Sequence, residues 1–120
     1  MITREFTLGD TAVSVYAKLY RPSSSGPSPV VLGVADTVAF RMIDSAGAAK
    51  VSDAAATVVD VGSSTTGEAA EVRYDWAAGD VDTAGDYVAW FIVTSAGATE
   101  HFPSQDRDDP EFKIVIRART

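Results

Sequence analysis

The chain has 120 residues, 46% hydrophobic and 22% charged, the size and balance of one ordinary globular domain and not of a disordered segment. Cysteine is absent, which excludes disulfides and thiolate metal sites and leaves the core to hold by packing alone. A net charge of -7 at pH 7 repels phosphate backbones, so nucleic acid is not an expected partner, and no apolar run is long enough to suggest a membrane span.

The N-terminus passes from Met1 directly into alternating residues, a pattern from which no secretory leader is expected. Period two, the mark of half-buried strands, then dominates. Ile2 to Leu8 forms the first predicted strand; Arg4 breaks its pattern, but Phe6 and Leu8 share a face. From Thr11 to Tyr20, Val13, Val15, Ala17 and Leu19 fall on one side and Ser14, Tyr16, Lys18 and Tyr20 on the other. The tract 21–29 is rich in Pro, Ser and Gly and is expected to be a mobile loop. Thr37 to Asp44 groups Val38, Phe40 and Met42, and Asp44-Ser-Ala-Gly47 then supplies turn chemistry.

Weaker strands are predicted over Ala48 to Val51 and Ala55 to Val61. The alanine-rich stretch Ala46 to Ala56 is short and contains Gly47, which argues against more than a turn. Glu71 to Trp76 alternates strictly, with Val72, Tyr74 and Trp76 inward and Glu71, Arg73 and Asp75 outward. A strand over Tyr87 to Thr94, a hairpin turn at Ser95-Ala-Gly97 and a strand over Ala98 to Phe102 follow. After an acidic loop over 103–110, Glu111 to Arg117 sets Phe112, Ile114 and Ile116 against Lys113, Val115 and Arg117. Short strands separated by turn signals, without helices, predict an all-β, antiparallel sandwich of about seven to nine strands forming one domain over 1–120.

Asp82-Thr-Ala-Gly-Asp-Tyr87, at the entry to its strand, resembles the tyrosine corner of immunoglobulin-like sandwiches, in which a Tyr near the start of strand F bonds back to upstream backbone. Antibody domains carry their second cysteine two residues after that Tyr; here the position is Ala89. Tyr87 and Asp82, together with Tyr74 and Trp76 of the preceding strand, are therefore the residues expected to determine an immunoglobulin-like fold without its disulfide.

The strand that begins at Tyr87 is apolar on both sides. Tyr87, Ala89, Phe91 and Val93 make one face, and Val88, Trp90 and Ile92 make the other, where a half-exposed strand would carry polar residues. The second face needs cover, from the Val30-to-Ala35 segment, a neighbouring subunit or another protein. For an interface, Trp90 is the natural anchor. Tyr16 and Tyr20 are weaker interface candidates on the nominally polar face of their strand.

Catalytic and metal chemistry have little support. His101 is the single histidine, so a Ser-His-Asp arrangement would have to use it with Asp106, Asp108 or Asp109, and no Gly-x-Ser-x-Gly elbow accompanies it. Asp106, Asp108, Asp109 and Glu111 offer oxygen ligands for a hard cation, but the spacing matches no EF-hand loop and Arg107 interrupts it. Asp80, Asp82 and Asp86 suit turns on conformational grounds. With no phosphate loop, dinucleotide fingerprint or zinc spacing, no cofactor is expected, and a binding module is expected in place of an enzyme.

Several segments together resemble the immunoglobulin-like N-terminal domain of tailed-phage baseplate upper proteins, a domain also found in other virion structural proteins. These are Phe6-Thr-Leu-Gly-Asp-Thr11, Val38-Ala-Phe-Arg-Met-Ile-Asp-Ser-Ala-Gly47, Val72-Arg-Tyr-Asp-Trp76, Thr83-Ala-Gly-Asp-Tyr87, Glu100-His-Phe-Pro103 and Phe112-Lys-Ile-Val-Ile116. The resemblance implies a non-enzymatic docking or assembly module of the baseplate or tail, localised in the virion and bound to other virion proteins in symmetric multiple copies, with neither nucleic acid nor membrane as partner. The alternatives are a capsid decoration or head–tail joining protein and, from another class, a carbohydrate-binding host-adhesion module that uses Trp90 or Tyr20 as a sugar platform.

Overall fold

Alternation becomes pairing in the computed structural model, which describes residues 2–9, 11–12, 14–21, 28–77, 79–102 and 112–118. In chain order the strands are β1 (Ile2–Thr7), β2 (Ser14–Lys18), β3 (Tyr20–Arg21), β4 (Ser28–Pro29), β5 (Thr37–Asp44) and β6 (Ala49–Ala55). They continue with β7 (Thr57–Asp60), β8 (Glu71–Asp75), β9 (Gly85–Ser95), β10 (Ala98–Phe102) and β11 (Phe112–Arg117). No helix occurs among the described residues.

The larger sheet has the order β1-β11-β9-β5-β6, with β10 also on β9; the smaller is β2-β8-β7, and β3 and β4 form a separate ribbon. β5 and β9, four apart in the chain, thus become neighbours, and the two sheets are those of an immunoglobulin-like sandwich without a disulfide. All pairs are antiparallel except β1 with β11, which run parallel. β10 and β11 are two pieces of one strand position. Both lie on the same edge of β9, β10 along Phe91 to Ser95 and β11 along Gly85 to Ala89.

Both sheets turn apolar faces to one core. Phe40, on β5, is fully buried at its centre. Its ring stacks on Tyr74 with centroids 4.5 Å apart, meets Trp76 edge-on at 6.0 Å and lies 5.1 Å from Phe91. Phe6 closes one end of this cluster against Trp76 at 5.1 Å. Aromatic pairs in these geometries add about 0.5–1.5 kcal/mol each beyond area burial, so five rings drawn from both sheets tie them together where no disulfide does. Val72, Tyr74 and Trp76 point inward as their alternation predicts, as do Val15 and Leu19, whereas Val13 lies outside the described residues.

The tyrosine corner is present. Tyr87, buried at the start of β9, donates its hydroxyl to the Thr83 carbonyl at 2.7 Å. The turn after β5 forms through Asp44, whose Oδ1 accepts from the N–H groups of Ala46 and Ala48, both at 2.9 Å. The β9–β10 turn has positive φ at both Ala96 (50°) and Gly97 (83°), the condition for a two-residue turn that follows the natural twist of a hairpin.

Three boundaries differ from the sequence expectation. The strand predicted over Thr11 to Tyr20 breaks after Lys18, because Val30 inserts where β2 and β8 separate: its N–H donates to Leu19 O (3.0 Å) and its carbonyl accepts from Ala70 N (2.7 Å). At the ends of the Pro/Ser/Gly tract, expected to be a loop, Arg21 pairs with Ser28 and the preceding Tyr20 with Pro29; residues 22–27 lie outside the described residues. The weak strand expected over Ala48 to Val51 runs on to Ala55, and at Ala56 the chain crosses from the larger sheet to the smaller. The Ala56 N–H is held by Val38 O at 2.9 Å.

Candidate functional site

β9 is flanked along its length by β5 on one edge and by β10 and β11 on the other, so both its faces are sheet faces. Tyr87, Ala89, Phe91 and Val93 are buried in the core. Val88, Trp90 and Ile92 point away from it and stay half-buried on the outer surface of the larger sheet.

Register sets their neighbours. Val88 lies opposite Ile43 of β5 and Lys113 of β11, Trp90 opposite Arg41, and Ile92 opposite Ala39 and His101 of β10. The result is an apolar row extended onto β5 by Ile43 and Ala39. Charge frames it: Arg41 pairs with Asp53 at 3.4 Å and Lys113 with Asp86 at 3.3 Å. Trp90 sits at the break between β10 and β11. β10 ends at Phe102, opposite Phe91, and β11 begins at Phe112, opposite Ala89, so no residue of either stands opposite Trp90. The acidic loop over 103–110 and Glu111, with the candidate cation ligands Asp106, Asp108 and Asp109, lies outside the described residues.

The Val30-to-Ala35 segment does not cover this row. Val30 and Leu32 are core residues, and Leu32 N–H donates to Val61 O at 2.8 Å, which carries the segment along the end of the smaller sheet. Strand continuity explains the difference: once Val30 has bonded Leu19, just after β2, and Ala70, just before β8, the chain leaves on their side of the sandwich.

Tyr16 and Tyr20 belong elsewhere. Tyr16, 45% exposed, is on the outer face of the smaller sheet opposite Arg73, and Tyr20, 42% exposed, follows on the β3–β4 ribbon. The surroundings of Tyr16 are polar. Ser14 Oγ donates to Asp75 Oδ1 at 2.6 Å, and Arg73 Nε lies 2.9 Å from the same oxygen. Hydrogen bonding to Tyr16 and the charge of Asp75 push the Arg73 guanidinium above its ordinary range. The five interface candidates therefore divide between opposite sides of the sandwich, and only Val88, Trp90 and Ile92 form one surface.

Of the fold-determining residues, Tyr87, Trp76 and Tyr74 are core groups. Asp82 is an exposed carboxylate that pairs with Lys50 and accepts from Thr83 Oγ1 at 3.0 Å; the bond from Lys50, then that from Thr83, holds it below its ordinary range. Asp80, read from sequence only as a turn residue, has the larger structural part. Its Oδ2 accepts from the Tyr74 hydroxyl at 2.5 Å and from Ala77 N–H at 2.8 Å, tying the β8–β9 connection to the core. Burial first, and then the bond to Asp80, push the Tyr74 phenol well above its usual value.

His101 is exposed at the rim of the apolar row. No group of three or more His, Cys, Asp or Glu placed to hold a metal ion occurs among the described residues, and no helix among them is long and apolar enough to cross a membrane. Sequence reasoning also missed the exposed valines Val31, Val34, Val59 and Val61, whose only signal was a β-branched run beside turn residues. In comparisons with family models, curated proteins and solved structures, no match to this chain was found.

Proposed function

We propose that this chain is a non-enzymatic docking module of a tailed-phage virion, which binds other virion proteins through the outer face of its larger sheet. The carrying observation is the apolar row Val88, Trp90 and Ile92, which points away from the core and is covered by none of the described segments. A row centred on Trp and framed by ion pairs has the make-up of a protein interface: an aromatic anchor inside a polar rim. The virion context comes from the resemblance of Thr83-Ala-Gly-Asp-Tyr87 and the other segments to the phage domain family, which also makes the baseplate or tail the first location to test, ahead of capsid decoration or head–tail joining. Repeated copies on a symmetric particle would convert modest single contacts into firm attachment.

Quantitative mass spectrometry of purified phage particles tests this directly. The chain is expected at a fixed copy number relative to the major capsid and tail proteins; its absence from purified particles refutes the virion assignment. Retention of the free chain on host cell-wall polysaccharide, lost on Trp90→Ala, would instead establish the carbohydrate-binding alternative.

A further inference from the structure

The most exposed apolar side chains are not on the Trp90 face. Val31, Val34, Val59 and Val61 are all solvent-exposed, Val34 at 104%. The Leu32 N–H bond to Val61 O (2.8 Å) brings Val31 beside the chain leaving β7, which carries Val59 and Val61, and Val34 follows on the turn that leads into β5. Val34 is at the tip of a turn closed by Asp36, whose Oδ2 accepts from Gly33 N–H at 2.7 Å and whose N–H donates to Gly33 O at 3.2 Å. Val59 is the extra residue of a bulge on β7, since Val58 stands opposite Val72 and Asp60 opposite Glu71.

The rim of this patch is acidic. Asp60 lies between Val59 and Val61, its Oδ1 bonded by Gly62 N–H at 2.9 Å. A second carboxyl group, that of Glu68, acts on it from the adjoining turn, where the Glu68 backbone pairs with Ser63. The Gly62 bond holds Asp60 below the ordinary carboxylate range, while the neighbouring Asp60 pushes Glu68 above it. Asp36 and Glu71 add further negative charge, against which Lys18 is the cation that acts on the Asp60–Glu68 pair.

We propose that Val31, Val34, Val59 and Val61 form a second docking surface, whose occupant is a protein segment with an apolar centre flanked by lysine or arginine. The acidic rim selects that occupant by charge complementarity. It also disfavours a second copy of this chain, because a two-fold contact through the patch would set Asp60 and Glu68 against their own equivalents. The bulge at Val59 blocks simple strand addition to the β7 edge, so contact is made through side chains. This surface stands apart from the Trp90 row and does not depend on it.

The test is an NMR titration of the backbone-assigned, isotope-labelled full chain with two synthetic probes, Lys-Lys-Leu-Val-Leu-Lys-Lys and its glutamate-flanked counterpart Glu-Glu-Leu-Val-Leu-Glu-Glu. The lysine peptide is expected to shift the amides of Val31, Val34, Val59, Asp60, Val61 and Glu68 saturably, more weakly at high salt, with at least a tenfold loss of affinity in Val34→Ser/Val61→Ser. The glutamate peptide is expected to shift none of them. Equal response to both peptides, shifts spread over every acidic site, shifts centred on Trp90, or no saturable response each overturns the proposal.

Discussion

Replacing Tyr87 by Phe removes one atom from the corner and leaves the ring in place. The hydroxyl donates to Thr83 O at 2.7 Å, a short neutral hydrogen bond closed over four residues. The phenyl ring keeps the buried contacts of β9, so no cavity term arises. Thr83 is exposed, so its freed carbonyl can turn to water and escapes the full penalty of a buried unsatisfied group. What is lost is the net worth of one hydrogen bond, about 1 kcal/mol. For a domain of this length that corresponds to a fall in Tm of about 4 °C. Urea unfolding followed by tryptophan fluorescence is a suitable assay, because Trp76 is 5% exposed and reports the core. The midpoint should fall with the slope m unchanged. Thr83→Ala should leave the bond intact, since its acceptor is backbone. A Tyr87→Phe chain with the wild-type midpoint would refute the corner as described.

Adjacent residues on opposite faces of β9 should respond very differently. Phe91→Ala, at a site with no exposure, should cost about 3–5 kcal/mol by thermal or chemical unfolding, whereas Trp90→Ala should cost far less; similar losses would mean that the register of β9 is wrong. Stability should also decline at alkaline pH. Burial raises the phenol pKa of Tyr74 and of Tyr87, so the unfolded chain releases these protons first. Their contribution is complete below about pH 10 and is lost as pH rises above it, a slope that Tyr74→Phe should reduce; flat stability between about pH 9 and 11 would count against the buried phenols.

Much of the architecture was legible because strand patterning is local. The inward sets Val72, Tyr74, Trp76 and Phe40, Met42 needed only period two, and Thr83 to Tyr87 carried the corner through a spacing of four residues. Long-range order was not legible. Nothing in Ile2–Thr7 or Phe112–Arg117 shows that these strands run parallel, since the chain between them sets that direction. The weak strand read over Ala55 to Val61 conceals the crossing between sheets at Ala56, because no turn residue marks a break there. Asp80 and Asp82 look alike in sequence, yet only the fold brings Asp80 to the Tyr74 hydroxyl. The apolar second face of β9 was visible from Val88, Trp90 and Ile92, but the neighbours Arg41, Ile43, Lys113 and His101 required the register of three other strands. The exposed valines escaped notice because β-branched residues beside turns are ordinary strand formers, and only the course of Val30 and Leu32 shows which side chains the core leaves outside.

The most direct measurement is the incorporation of Trp90→Asp into particles. A charge at that position should disrupt an apolar contact while sparing the core, which circular dichroism and Tm of the purified variant can verify. Phage assembled with the variant as the sole source of this chain should contain few or no copies, against the fixed complement expected for the wild-type chain. A folded Trp90→Asp chain incorporated at the wild-type copy number would contradict docking through the outer face of the larger sheet.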